Sequence, residues 1–251
     1  MAIQFGPLLA EVIDPESEKF TSSLVLVHGL WERAVAWRPF AGYLAHRGWR
    51  CIALQRRNDP AAGMKEHVDD LRAALGAVGP GPVVIGHDLG ALLALHCLDR
   101  ARAVVALAPL VGPPLGRPSL ALERAGNWLT RWRGGALSAP RGRWRAGYPS
   151  RDIGEAAALL RQVAAAYSLP PPNPTVAAAV FAVQDDPITP LSAAGALAEH
   201  VGAELQVFSG SEHRVMLTPG WEARVAAVHR WIVQRLGVDL LALYDESMNP
   251  D

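Results

Sequence analysis

Pro82-Val83-Val84-Ile85-Gly86-His87-Asp88-Leu89-Gly90-Ala91-Leu92-Leu93-Ala94-Leu95-His96-Cys97-Leu98-Asp99 decides how the rest of the chain is read. A short β-branched apolar run stops at Gly86, two polar residues follow, and Gly90 opens a segment of good helix formers. That is the pattern of strand, sharp turn and helix, with Asp88 at the tip. A strand that reverses directly into a helix brings backbone against backbone and strains the tip residue, so small residues are needed two before and two after it. The turn also sets the tip side chain beside free helix N–H groups, where a negative charge is favoured. A plainer role for Asp88, capping the helix, uses the same geometry.

Outward from this stretch, apolar strand runs alternate with helical patterns. On the N-terminal side, residues 3–13 read as one or two short edge strands and 23–27 as a buried strand ending in His28-Gly29-Leu30-Trp31. A helix over 37–47, a strand over 50–55 and an amphipathic helix over 64–78 follow. The turn itself joins a strand over 82–86 to a helix over 89–99, and a strand over 103–107 comes next. Such alternation predicts an α/β fold, a mostly parallel central sheet with helices on both faces.

From residue 109 to 174 the pattern breaks. Prolines and glycines cluster at Pro113-Pro114, Gly134-Gly135 and Pro170-Pro171-Pro172, with helical pieces over 120–132 and 153–167 between them. Eight arginines (Arg117, Arg124, Arg131, Arg133, Arg141, Arg143, Arg145, Arg151) interleave here with Trp128, Trp132 and Trp144. They read either as a cationic, aromatic entrance or as a solvated helical face with tryptophans beneath it. The core pattern resumes with a strand over 177–183, a helix over 191–200, a strand over 204–208 and a closing helix over 221–235, with a tail expected to fray after Tyr244.

The 251 residues, half of them hydrophobic, suffice for one sizeable core with an insertion. A formal net charge of zero calls for neither nucleic acid nor an anionic membrane as partner. The first residues lack a basic start followed by an apolar core, and no run is long enough to span a bilayer. A cytoplasmic protein, monomer or homodimer, acting on a small molecule is expected. Cys51 and Cys97 fall in a strand and a helix as small hydrophobes, with a disulfide the less favoured reading. No cluster has metal-ligand spacing, and no cofactor is called for.

In a parallel sheet, functional groups gather at the C-terminal ends of strands. Asp88, Asp186 and His213 all fall at such ends. Their order of tip residue, acid and histidine, the Gly86-x-Asp88-x-Gly90 turn and the His28-Gly29 pair together resemble the α/β-hydrolase fold, in its branch with an Asp nucleophile in place of Ser. The resemblance implies a core of residues 1–110 and 175–251 and a small helical cap, 111–174, that covers the site. It implies an oxyanion hole from the N–H of Leu30 or Trp31 and that of Leu89. It favours Asp186 over Asp185 as the acid, four before Pro190. His28 and His87 are candidates to face substrate, although the favoured role for His28 is to brace its own loop by hydrogen bonding. The remaining histidines lie mainly in helices as structural or exposed residues.

Asp at the tip changes the chemistry. A carboxylate attacking an ester carbonyl gives an anhydride, less stable than the ester, so this nucleophile suits displacement at an sp³ carbon. The resulting alkyl ester is then hydrolysed by water that His213 activates. This resembles epoxide hydrolases and haloalkane dehalogenases. Dehalogenases typically carry Trp, or for fluoroacetate Arg, after the nucleophile, where this chain has Leu89. Epoxide hydrolases use two cap tyrosines to protonate the opening oxygen, and Tyr148 and Tyr167 stand in the expected cap. An epoxide is therefore the preferred substrate class. His28-Gly29-Leu30-Trp31 and Met216-Leu217-Thr218-Pro219-Gly220-Trp221 resemble serine esterases as much, which leaves an alternative: an esterase-lineage protein with Asp in place of Ser, a ligand-binding pseudoenzyme or an enzyme of altered mechanism.

Overall fold

The computed structural model describes residues 2–59, 61–112, 115, 136–138, 154–164 and 170–248, with side chains undescribed at Ala2, 136–138, 154–158, 161, 164 and 238–248. Its centre is an eight-stranded sheet. In chain order the strands are β1 (Ala2–Phe5), β2 (Leu8–Ile13), β3 (Leu24–Val27), β4 (Cys51–Gln55), β5 (Val83–His87), β6 (Ala103–Leu107), β9 (Ala177–Val183) and β10 (Glu204–Phe208). Their spatial order is β1-β2-β4-β3-β5-β6-β9-β10. The six strands from β4 to β10 run parallel, and β2 pairs antiparallel with both β1 and β4.

β3, β5 and β6 are buried along their whole length, as expected of parallel strands covered on both faces. Successive side chains serve opposite faces. Val25, Val27, Val84, Val104 and Ala106 pack with helices α2 (Met64–Val78), α3 (Leu89–Leu95), α4 (Ala157–Ala164) and α5 (Leu191–Val201). Leu24, Leu26, Val83, Ile85, Val105 and Leu107 pack with α1 (Arg38–His46) and α6 (Trp221–Met248). The register aligns Val27 with Gly86, Gly86 with Ala106, Leu107 with Phe181 and Val183 with Phe208, so the loops after these strands emerge along one end of the sheet.

Three expectations are corrected. The helix after the turn ends at Leu95 rather than Asp99, and residues Leu98–Arg100 form a 3-10 turn. Arg72 of α2 takes the His96 carbonyl and pairs with Asp99, which satisfies this end of the segment from outside the helix. The expected helix over 153–167 starts later, as α4 at Ala157, because Gly154–Ala156 (β8) pairs with Ala136–Ser138 (β7) in a two-stranded antiparallel sheet, and residues 153 and 165–167 lie outside the described residues. The closing helix runs on to Met248, since the first proline beyond it is Pro250. Cys51 and Cys97 are both buried free thiols, which burial pushes up to about 12. The helical piece over 120–132, Tyr148, Tyr167 and the arginines and tryptophans of the insertion lie outside the described residues. Among the described residues no helix is long and apolar enough to cross a membrane.

Candidate active site

Asp88 sits between β5 and α3 at φ 54° and ψ −120°, a left-handed conformation that a non-glycine residue holds only when its surroundings enforce it. Two glycines do so. A methyl group on Gly86 would collide with the backbone of Gly90 and Ala91, and one on Gly90 with the carbonyls of Val27 and His28. Gly29 allows the third approach, because a Cβ there would lie 2.6 Å from Cβ of Asp88. The turn and the β3 loop are thus pressed together at positions without side chains.

The Asp88 carboxylate is fully buried and its two oxygens have different surroundings. Oδ1 accepts the Leu30 N–H at 3.1 Å and the Leu89 N–H of its own turn. Oδ2 lies 2.9 Å from Nε2 of His213. On the other side of that ring, Nδ1 lies 2.8 Å from Oδ2 of Asp186, whose Oδ1 accepts the N–H groups of Ile188 (2.7 Å) and Thr189 (3.2 Å). Asp185 is exposed, and its N–H goes to the Gly210 carbonyl. Of the two expected oxyanion donors on the β3 loop, Leu30 is the one directed at Asp88, while Trp31, at φ 50°, packs its side chain in the core.

His213 is held between two carboxylates. Burial opposes its charge, but Asp186 and then Asp88 outweigh that penalty and raise the ring to about 10. At neutral pH it is an imidazolium donating from both nitrogens.

The sequence pattern of the alpha/beta hydrolase family matches residues 24–227, from β3 through β10 and into the closing helix. The chain belongs to the alpha/beta hydrolase family. It is therefore a hydrolase of α/β fold. Solved structures of similar fold include a monoacylglycerol lipase from Paleococcus ferrophilus, at 20% identity and a TM-score of 0.69 over 90% of this chain and 98% of that one. A putative non-heme bromoperoxidase, BpoC, from Mycobacterium tuberculosis shares 17% identity, with a TM-score of 0.68 over 93% and 97% of the two chains. A thermophilic esterase from Thermogutta terrifontis also shares 17%, with a TM-score of 0.64 over 93% and 98%. No curated protein matches the sequence.

Three charged residues that the motifs did not single out surround this candidate site. Glu32, with a fully buried side chain, accepts the Gly29 N–H at 2.9 Å, the His87 ring at 3.0 Å and the Arg214 guanidinium at 3.0 Å. Burial opposes its ionisation, yet His87 and Arg214 hold it well below the usual carboxylate range. Arg56, directly after β4, donates from Nε to the His28 carbonyl (3.2 Å) and from Nη2 to the Gly29 carbonyl (2.8 Å). The signal available in the sequence was position: each follows the end of a buried strand or adjoins a motif residue.

His28 and His87, expected to face substrate, have both ring nitrogens engaged within the protein. Nε2 of His28 receives the Arg56 N–H (3.2 Å) and the Gln55 amide (3.1 Å), so it is the acceptor, and Nδ1–H donates to the Gly29 carbonyl at 3.0 Å. Burial, aided by Arg56, lowers this ring to about 3 and keeps it neutral. His28 braces its own loop. His87 bridges Glu32 and, at 2.9 Å, the His213 carbonyl. Among the described residues no group of three or more His, Cys, Asp or Glu side chains is arranged to hold a metal ion.

Proposed function

We propose that this chain hydrolyses small molecules through an alkyl ester on Asp88, with an epoxide as the preferred substrate class and a haloalkane the next. The observation that carries this reading is the division of labour at the carboxylate: Oδ1 occupies the pair of backbone donors and Oδ2 faces His213. An esterase leaves such donors open for the carbonyl oxygen of its substrate. With Oδ1 already seated there, the carbonyl to be polarised is the one that Asp88 itself acquires on esterification.

Oδ2 attacks an sp³ carbon, the carbon–oxygen bond of the epoxide breaks, and the alkoxide takes up a proton. Tyr148 and Tyr167 are proposed as its acids, in a cap formed by residues 111–174. Esterification removes one of the two negative charges that hold His213 as imidazolium, so the ring can give up its proton, which restores the tyrosine that protonated the alkoxide. Neutral His213, oriented by Asp186, takes a proton from water as that water attacks Cγ of Asp88. Oδ1 then carries the oxyanion, facing the N–H groups of Leu30 and Leu89, and collapse releases a diol as His213 returns its proton.

Intact-protein mass spectrometry of His213→Gln with a panel of epoxides and haloalkanes tests this, because loss of the water activator traps the ester. A mass gain that Asp88→Asn abolishes is expected. No gain from a folded variant across the panel overturns the proposal.

A second reading, an esterase lineage with Asp in place of Ser, has support in the same geometry and in the lipase and esterase among the similar folds. The Asp186–His213 pair and the two donors would serve a serine at 88 unchanged. Hydrolysis of p-nitrophenyl esters by Asp88→Ser is its test.

A further inference from the structure

We infer that Arg56 is a positioning residue that sets the strength of the oxyanion hole through a single peptide plane, and that it serves the hydrolytic half-reaction selectively. The inference rests on the alkyl-ester reading of Asp88.

The Leu30 N–H belongs to the same peptide unit as the Gly29 carbonyl. In a planar trans peptide the two point in opposite directions, so fixing one aims the other. The Gly29 carbonyl is held by Arg56 Nη2 at 2.8 Å and His28 Nδ1 at 3.0 Å, and the Leu30 N–H on the far side meets Asp88 Oδ1 at 3.1 Å. The preceding plane is gripped at both ends as well. Arg56 Nε takes the His28 carbonyl at 3.2 Å, and Glu32 receives the Gly29 N–H at 2.9 Å. A guanidinium fork spanning two consecutive carbonyls supplies geometry that a point charge cannot. Its buried positive charge also polarises the Gly29 peptide and makes the Leu30 N–H a stronger donor.

The two half-reactions respond oppositely to donor strength. During alkylation Oδ1 loses negative charge as the carboxylate becomes an ester carbonyl, so strong donors favour the starting state. During hydrolysis Oδ1 gains charge as that carbonyl becomes an oxyanion, so strong donors favour the transition state. Weakening the Arg56 grip therefore slows hydrolysis and spares alkylation. The ester accumulates on an enzyme that still has His213.

The test compares wild type, Arg56→Met and Arg56→Lys by rapid-quench intact-protein mass spectrometry, with styrene oxide and 1-bromohexane as probes. Expected for Arg56→Met is ester hydrolysis slowed about tenfold to a hundredfold, the range for a weakened oxyanion donor, with alkylation unchanged or quickened, because its starting carboxylate is held less strongly. Arg56→Lys, which keeps the cation and loses the fork, falls between, and it carries the comparison if Arg56→Met does not fold. Equal slowing of both steps overturns the inference. A second measurement is independent of any substrate: in ¹⁵N-leucine-labelled protein, Arg56→Met, or Arg56→Lys in its place, shifts the Leu30 amide proton upfield and leaves that of Leu89 in place. An unmoved Leu30 amide overturns the inference. If neither probe marks His213→Gln at Asp88, the alkyl-ester reading fails for these substrates, and the Leu30 amide alone decides whether Arg56 sets the donor.

Discussion

The ring of His87 and the carbonyl oxygen of His213 are 2.9 Å apart across 126 residues of chain. The other ring nitrogen of His87 reaches Glu32, which also binds Arg214, the neighbour of His213. One buried carboxylate therefore joins the β3 loop, the Asp88 turn and the histidine loop. Replacing Glu32 by Ala leaves the buried His87 ring nitrogen and Gly29 N–H without their acceptor and takes the partner from the partly exposed Arg214. A loss of about 3–5 kcal/mol in denaturant unfolding is expected, the range for breaking a buried pair from one side. Glu32→Gln, which retains an acceptor for Gly29, should lose less.

Stability should pass through a maximum near neutral pH. His28 and His67 are lowered from 6.5 to about 3, by burial first and then by Arg56. Between those values the unfolded chain binds protons that the folded chain refuses. Their contribution is present above pH 6.5 and is lost as pH falls toward 3, with a limiting slope of about 1.4 kcal/mol per pH unit for each ring. His213 is raised to about 10, so its contribution is complete below 6.5 and is lost as pH climbs through 10. Guanidinium unfolding at intervals from pH 4 to 10 measures both limbs. His67→Gln should flatten the acid limb and His213→Gln the alkaline one.

Gly90→Ala should abolish folding or activity, since the added methyl meets the backbone carbonyls of Val27 and His28, which have no flexible side chain to give way. A cost of at least about 3 kcal/mol is expected. Gly42→Ala is the control. Its Cβ enters open space in the middle of α1, so a gain of about 0.5–1 kcal/mol is expected from the lower backbone entropy cost of alanine. Thermal unfolding of the two variants should move in opposite directions.

Beside the apolar packing of Leu159, Leu160 and Val163, one hydrogen bond between α4 and α2 can be removed by itself. Gln162 Oε1 accepts the Met64 N–H at 2.7 Å, filling the space over Gly63 at the start of α2 and acting as an N-cap borrowed from α4. Gln162→Ala should cost about 1 kcal/mol, the usual worth of a helix cap. Hydrogen exchange should quicken over 157–164 and at the first turn of α2, while β3, β5 and β6 keep their protection.

The strands of the central sheet, the turn and the three acid and histidine positions were legible because each is a local matter, whereas β7 and β8 were not foreseen. β5 announces itself by Val83-Val84-Ile85, and Gly86 and Gly90 announce the turn because no other residue fits there. Glu32, Arg56 and Arg214 were not legible in this way. Each stands in a polar loop stretch where a charge is ordinarily solvated, and nothing local says that it is buried. Whether Leu30 or Trp31 supplies the donor was equally undecidable, because it depends on the orientation of one peptide plane.

What the sequence determined by itself is the alternation of apolar strands and helices, the glycine-flanked Asp88 and the chain order of Asp88, Asp186 and His213. Such features depend on propensity, periodicity and steric room, all of them properties of short stretches. The tertiary structure decided which groups share a charge. It set Asp88 Oδ1 on two backbone donors, placed His213 between two carboxylates, and buried Glu32 and Arg56 around the Gly29 peptide. These outcomes depend on distances between residues far apart in the chain and on the exclusion of water, which only the packed sheet ends establish.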